Sequence, residues 1–136
     1  MTGSAQANLL AGKKALIMGV ADRHSLAWGI AQAFYEQGAA LAFTYQEEPR
    51  GRIERNVRQL VSTLSSQAPF PMFPCDVADD ESIGRAMQGL ASEWRSLDVL
   101  VHCIAFADRD DLNRPFSEIS REGYKLAMEI SAYSLN

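Results

Sequence analysis

The sequence predicts an α/β fold, a doubly wound parallel sheet whose N-terminal half, with about four strands, lies in these residues. Three observations predict it. Short apolar runs alternate with amphipathic stretches at helical spacing along the whole chain. Each run is followed by a glycine or a polar turn before the next helix, as parallel strands joined by right-handed crossovers require. Pro71 and Pro74 fall together in the third run. In the strand order 3-2-1-4 of such a half, that run is the outer edge, where a missing ladder donor is tolerated.

The elements follow in order. Lys14–Met18 is a buried strand ending at Gly19, and Leu26–Gln37 is a helix on Leu26, Ile30, Ala33 and Phe34, stopped by Gly38. Ala40–Tyr45 is a second strand. Arg52–Leu64 is a helix with Ile53, Val57, Leu60, Val61 and Leu64 on one face. Phe70–Cys75 reads as the edge strand. Asp80–Trp94 is a third helix through Ile83, Met87, Leu90 and Trp94, and Asp98–Ile104 a third run apolar enough for a central strand. Asp108–Pro115 is polar and reads as loop. Ser120 then caps a last helix carrying Tyr124, Ala127, Met128 and Ser131.

The 136 residues amount to one domain at most, with 47% hydrophobic and 22% charged residues. A net charge of −4 makes nucleic acid and an anionic membrane surface poor partners. No apolar run approaches the roughly 20 residues of a membrane span. Met1–Leu10 lacks the basic and apolar regions of a signal peptide, so the expected compartment is cytoplasmic, or a stroma after loss of a transit peptide. Cys75 and Cys103 are expected to be buried free thiols, and no metal site is expected from their spacing.

Four strand ends could carry chemistry. The first turn runs from Gly19 through Ser25 to Gly29. It lacks the usual Gly-x-Gly-x-x-Gly, yet Gly19 permits a sharp turn, Ser25 offers a hydroxyl and cap, and the N–H groups near Ser25 and Leu26 face an anion at a positive helix end. Gly29 is expected to let the helix pack closely on the sheet. A plain strand–loop–helix connection explains the same residues. Gln46 ends the second strand, where a dinucleotide fold meets the adenosine ribose. Glu47 and Glu48 would repel a 2′-phosphate; Arg50 and Arg52 pull the other way, and a solvated charge cluster is the alternative. Asp76, followed by Val77, could accept from an adenine amino group or cap the third helix. His102 sits inside an apolar strand and reads as structural. The small residues that follow it would let backbone approach a ligand.

Together these segments resemble the enoyl-acyl-carrier-protein reductases (NADH), a divergent branch of the short-chain dehydrogenase/reductases with the Rossmann fold. The resemblance rests on Gly19…Ser25-Leu-Ala27, Gly29–Ala33, Leu41–Gln46, Cys75–Val77, Val101–Ala107 and Arg121–Tyr124. It runs from about Leu10 to Leu135, departing around Ser66–Pro74 and at Ala105, where many members have Gly. It implies that residues 1–136 are the N-terminal part of a single dinucleotide-binding reductase domain, a fragment. It implies NADH/NAD as cofactor and an acyl-carrier-protein-bound enoyl thioester as substrate, reduced at its trans-2 double bond in type II fatty acid biosynthesis by a homotetramer. It places Gly19, Ser25 and Leu26 at the pyrophosphate, Gln46 at the adenosine ribose, Asp76 and Val77 at the adenine, Ile104 and Ala105 along the ribose and nicotinamide, and Ala107 against the acyl substrate. The family's catalytic tyrosines and lysine lie beyond the last helix; Tyr133 is not one of them, and no catalytic residue is carried over. The chain alone is expected to be inactive, binding cofactor only weakly. Two other readings stay open: a short-chain alcohol or ketone reductase, and a non-catalytic nucleotide-binding module.

Overall fold

The structure, a computed structural model, describes residues 8–67 and 69–136. The reading of Met1–Leu10 as lacking a leader rests largely on residues 1–7, which lie outside the described residues.

Four parallel strands form one sheet in the order β3-β2-β1-β4. They are β1 (Lys14–Met18), β2 (Ala40–Tyr45), β3 (Met72–Pro74) and β4 (Val99–His102). The helices are α1 (Leu26–Glu36), α2 (Arg52–Val61), α3 (Asp80–Glu93), a single turn α4 (Arg109–Leu112) and α5 (Arg121–Ser131). β3 is shorter than its apolar run because Pro71 has no N–H to donate; its carbonyl still accepts from Phe43 N at 2.9 Å, and Pro74 pairs with Tyr45 on the edge.

Side chains alternate across the sheet. Ala15, Ile17, Leu41, Phe43 and Tyr45 face a core closed by α1 and α2 through Ala27, Ala31, Val57 and Val61. Leu16, Met18 and Ala42 face the opposite core, closed by α3 through Ala86 and Leu90. Burial on both faces explains why β1 and β2 are continuous apolar runs rather than alternating ones. The proline-rich approach to β3 is anchored by Phe70, which packs edge-on against Phe43 at 5.7 Å between ring centres.

Three expectations need correction. The buried side of α1 is Ala27, Trp28 and Ala31, not the stripe beginning at Leu26 and Ile30; Leu26 is 80% exposed. Alanines let the helix axis approach the sheet; of the expected stripe, Leu26 and Ala33 are exposed, Ile30 is half-buried and Phe34 packs at the edge of this core. Gly29 is exposed, and a Cβ there would meet nothing within 4 Å, so it does not serve close packing. The loop after β4 contains the turn α4, capped by Asp108, whose side chain accepts from Asp110 N at 2.8 Å.

α5 is held at its start by a relay. Ser120 Oγ accepts from Gly123 N at 2.9 Å and donates to the Asp111 carboxylate at 2.9 Å, and Asp111 also accepts from Ser120 N. These charge-assisted bonds hold the Asp111 carboxyl below its ordinary range. A side chain on Gly123 would overlap that carboxylate. Phe116, Tyr124, Met128, Tyr133 and Leu135 are exposed, and among the described residues β4 pairs only with β1. No helix among the described residues is long and apolar enough to cross a membrane.

Candidate cofactor site

All four strands point their carboxyl ends at one cleft of about 250 Å³. Strand order reverses between β1 and β4, and ligands of open parallel sheets bind at such a switch point. Gly19 forms the floor at this junction. Its φ is +102°, a conformation that disfavours side chains, and a Cβ on it would lie 2.7 Å from the carbonyl carbon of Cys103 and closer still to the oxygen. The first turn can therefore tuck under the end of β4 only because residue 19 has no side chain.

The cleft brings together Gly19, Gln46, Asp76, Val77, Ile104 and Ala105, each read from the sequence as a site residue. Ser25, Leu26 and Ala107 do not line it. Ala107 is half-buried just past the wall formed by Ala105 and Phe106.

Ser25 sits at the N-cap of α1 without capping it. Its Oγ instead accepts from Ala21 N and Asp22 N, both at 3.0 Å, and staples the turn back on itself. The expected cap is thus a loop staple. Both bonds use the oxygen as acceptor, so its proton remains available to a ligand. Among the described residues no acceptor meets the N–H of Leu26 or Ala27, which leaves the positive end of α1 open. These open donors, the hydroxyl proton and the missing Cβ at Gly19 fit the pyrophosphate of a dinucleotide.

At the second strand end, Gln46 is exposed, with the oxygen and nitrogen of its side-chain amide free among the described residues. Glu48 does not face it as a free charge. Its carboxylate accepts from Arg50 N and Arg52 N, caps the start of α2, and is held below the ordinary carboxyl range by those bonds. Glu47 has no such partner among the described residues.

Asp76 is not the cap of α3. Asp79 takes that role, accepting from Glu81 N at 3.0 Å. Asp76 Oδ1 accepts from Ala78 N at 3.0 Å and its own N–H donates to Ser82 Oγ at 2.9 Å. Its second carboxylate oxygen is left toward solvent. Between the two readings of Asp76, the cap belongs to its neighbour.

Burial pushes the Cys75 thiol up, with Asp76 adding to it; burial also raises the Tyr45 phenol, aided by Glu54. Both stay protonated near neutrality, so these walls are suited to binding rather than to nucleophilic chemistry. Cys75 and Cys103 are free; Cys75 is buried as expected, whereas Cys103 is only half-buried. His102 Nε2 meets Ser134 Oγ at 2.8 Å, a satisfied structural histidine. Sequence reasoning missed Ile53 and Ile130, which reach the cleft from α2 and α5. Ile53 reads from the sequence as part of the apolar face of its helix and Ile130 does not; which apolar residue of a helix borders a cleft is set by packing across the fold.

Residues 19–136 match the sequence profile of a family described as enoyl-(acyl carrier protein) reductase. The chain belongs to this family. It is 44% identical over 126 residues to enoyl-[acyl-carrier-protein] reductase [NADH] FabI of Nostoc, covering 93% of this chain and 48% of that protein. It is 46% identical over 127 residues to the Bacillus cereus FabI, with 93% and 48% covered. The solved Bacillus cereus reductase, a complex with NADP+ and an indole naphthyridinone, superposes with a TM-score of 0.86, covering 93% of this chain and 48% of that one. The reductase from Anaplasma phagocytophilum in complex with NAD gives 0.84 at 41% identity, with 93% and 46% covered. The doubly wound fold is thus shown both by the sheet itself and by these neighbours. The chain spans about half the length of the relatives it matches.

Proposed function

We propose that this protein uses NADH to reduce the trans-2 double bond of an enoyl thioester carried on acyl carrier protein. The observation that carries the reading is the cleft at the β1–β4 switch point, in which Gly19, Gln46, Asp76, Val77, Ile104 and Ala105 converge in a chain of this family. The relatives are named as NADH enoyl reductases, which favours this reading over an alcohol or ketone reductase and over a non-catalytic nucleotide-binding module.

Each residue has a part in it. The N–H groups of Leu26 and Ala27 and the Ser25 hydroxyl bind the pyrophosphate, with Gly19 keeping backbone out of its way. Gln46 bonds the adenosine ribose as donor and acceptor. The free oxygen of Asp76 accepts from the adenine amino group beside the Val77 backbone. Ile104 and Ala105 border the ribose and nicotinamide, and Ala107 meets the acyl substrate through its backbone. Bound there, the nicotinamide supplies hydride to the β-carbon of the thioester. The residues described here orient and desolvate; the proton-handling groups implied by the family resemblance lie outside them.

The exposed apolar side chains of α5 support a homotetramer, and the acidic balance of the chain supports partners other than nucleic acid or membrane. The compartment proposed is the cytoplasm. The test is to mix the full-length protein with NADH and crotonyl thioester and follow nicotinamide absorbance. Oxidation dependent on the enoyl thioester is expected. Turnover of simple ketones but not of the thioester, or NADH binding without turnover of either, overturns the reading.

A further inference from the structure

Among the described residues, the segment that forms the cleft wall after β4 makes no sheet bond beyond Cys103. The last sheet bond is Cys103 N to Met18 O at 3.2 Å, and Ile104–Ala107 run on beyond it. Yet one hydroxyl meets both polar groups of the Phe106 residue. Ser131 Oγ, at the end of α5, accepts from Phe106 N at 3.1 Å and donates to Phe106 O at 3.3 Å.

This is not the usual behaviour of a helical serine, which returns its hydroxyl to the carbonyl one turn earlier. Ser134, three residues on, does that, donating to Ile130 O at 2.6 Å while its oxygen faces His102 Nε2. With the Ser134 proton so used, Nε2 of His102 is the donor in their contact. Ser131 thus gives its hydroxyl to a peptide 25 residues away in sequence. Ile130, its neighbour, lines the same cleft as Phe106. The Asp111–Ser120–Gly123 relay fixes the other end of α5, so the helix is a rigid post against which the wall is set.

We propose that Ser131 is a positioning residue for the proposed reduction: its hydroxyl tethers the Phe106 peptide and fixes the Ala105–Ala107 backbone against cofactor and acyl thioester. The role rests on the functional reading above. It acts on binding geometry rather than on proton transfer, so it falls on cofactor affinity and thioester KM more than on kcat.

The test uses the full-length protein and its Ser131→Ala, Ser131→Thr and Ser134→Ala variants. Affinity for NADH is read by fluorescence titration, KM with crotonyl thioester, and amide exchange by mass spectrometry over residues 103–107. Ser131→Ala is expected to weaken NADH binding and raise KM by roughly five- to tenfold each, the scale of one lost hydrogen bond, and to speed exchange in that peptide. Ser131→Thr, which keeps the hydroxyl, restores all three. Ser134→Ala loosens the same helix end without touching the Phe106 peptide, and affects Tm more than affinity. A parent that binds NADH while Ser131→Ala leaves affinity, KM and exchange unchanged overturns the positioning role alone. So does a Ser134→Ala variant as impaired in binding as Ser131→Ala. A parent that binds no NADH overturns the proposed function and this role with it.

Discussion

The α-carbon of Gly19 faces the carbonyl of Cys103 so closely that a Cβ would stand 2.7 Å from its carbonyl carbon. This contact joins the first turn to the end of β4, and the cleft opens on its far side. It also gives Gly19 a structural duty separate from any ligand. Gly19→Ala should therefore destabilise the fold by at least about 2 kcal/mol, from positive φ combined with a backbone clash. Urea denaturation of the variant without cofactor measures it. A stability matching the parent would mean that the turn has room to move aside. Because the fold itself suffers, substitutions of Gly19 are a poor probe of pyrophosphate binding.

Ser25 offers a cleaner probe. Ser25→Ala frees the Ala21 and Asp22 N–H groups, but both lie in an exposed turn where water replaces the lost acceptor. The expected cost in stability is about 0.5–1 kcal/mol. NADH affinity should fall about three- to tenfold, since the turn loosens and a hydroxyl donor to phosphate is lost. Isothermal titration beside a thermal melt separates the two. Loss of stability with unchanged affinity would leave Ser25 as a loop staple only.

Leu26→Pro tests the open end of α1 without disturbing it. Leu26 is the first residue of the helix, its side chain is 80% exposed, and its N–H has no partner among the described residues. Proline is favoured at this position, and Ser25, at φ −61° and ψ 134°, already has the conformation that a following proline demands. Tm should stay within a few degrees of the parent's. NADH binding should weaken about tenfold, because a charge-assisted bond to phosphate is removed. Unchanged affinity in a folded variant would move the pyrophosphate away from this helix end.

The strand order, the edge position of β3, the open turn after β1 and the convergence of the strand ends were all legible in the residues, because each follows from local chemistry: apolar runs, prolines without donors, a glycine at a strand end. What escaped depends on distance or on choices between equals. α1 carries two apolar stripes, and only packing selects Ala27 and Ala31 over Leu26 and Ile30. Ser25 and Glu48 could each have bonded in several directions. Ser131 and Phe106 meet across a gap in sequence that no motif spans.

Acid should loosen two tethers. Asp98 accepts from Lys14 N at 2.9 Å and faces Lys13, and Asp111 accepts from Ser120; both carboxyls are held below their ordinary range chiefly by those backbone bonds. A folded pKa below the unfolded one means that unfolding takes up protons. The stabilisation is complete above the unfolded value of about 4 and is lost as pH falls through the folded one. Tm should hold between pH 7 and 5 and drop below about pH 4. The Asp98→Asn/Asp111→Asn variant should start lower at pH 7 and lose less on acidification. A double variant with the parent's acid slope would assign that slope to other carboxylates.

Cofactor choice turns on the residues after Gln46. Glu47 and Glu48 look equivalent in the sequence as charges that would repel a 2′-phosphate, but the fold separates them. Glu48 spends its oxygens on Arg50 N and Arg52 N at the start of α2, where its charge also meets the positive helix end. Glu47 is exposed beside Gln46 and has no partner among the described residues. Glu47→Gln should therefore lower the preference for NADH over NADPH by about threefold, a partly screened charge effect, with stability unchanged. Glu48→Gln should reduce stability through the weakened cap while shifting the preference less. Parallel titrations of both cofactors into the full-length parent and the two variants give the ratios directly. If Glu48→Gln changes the ratio more than Glu47→Gln does, the Glu48 carboxylate must leave its cap to face the ribose.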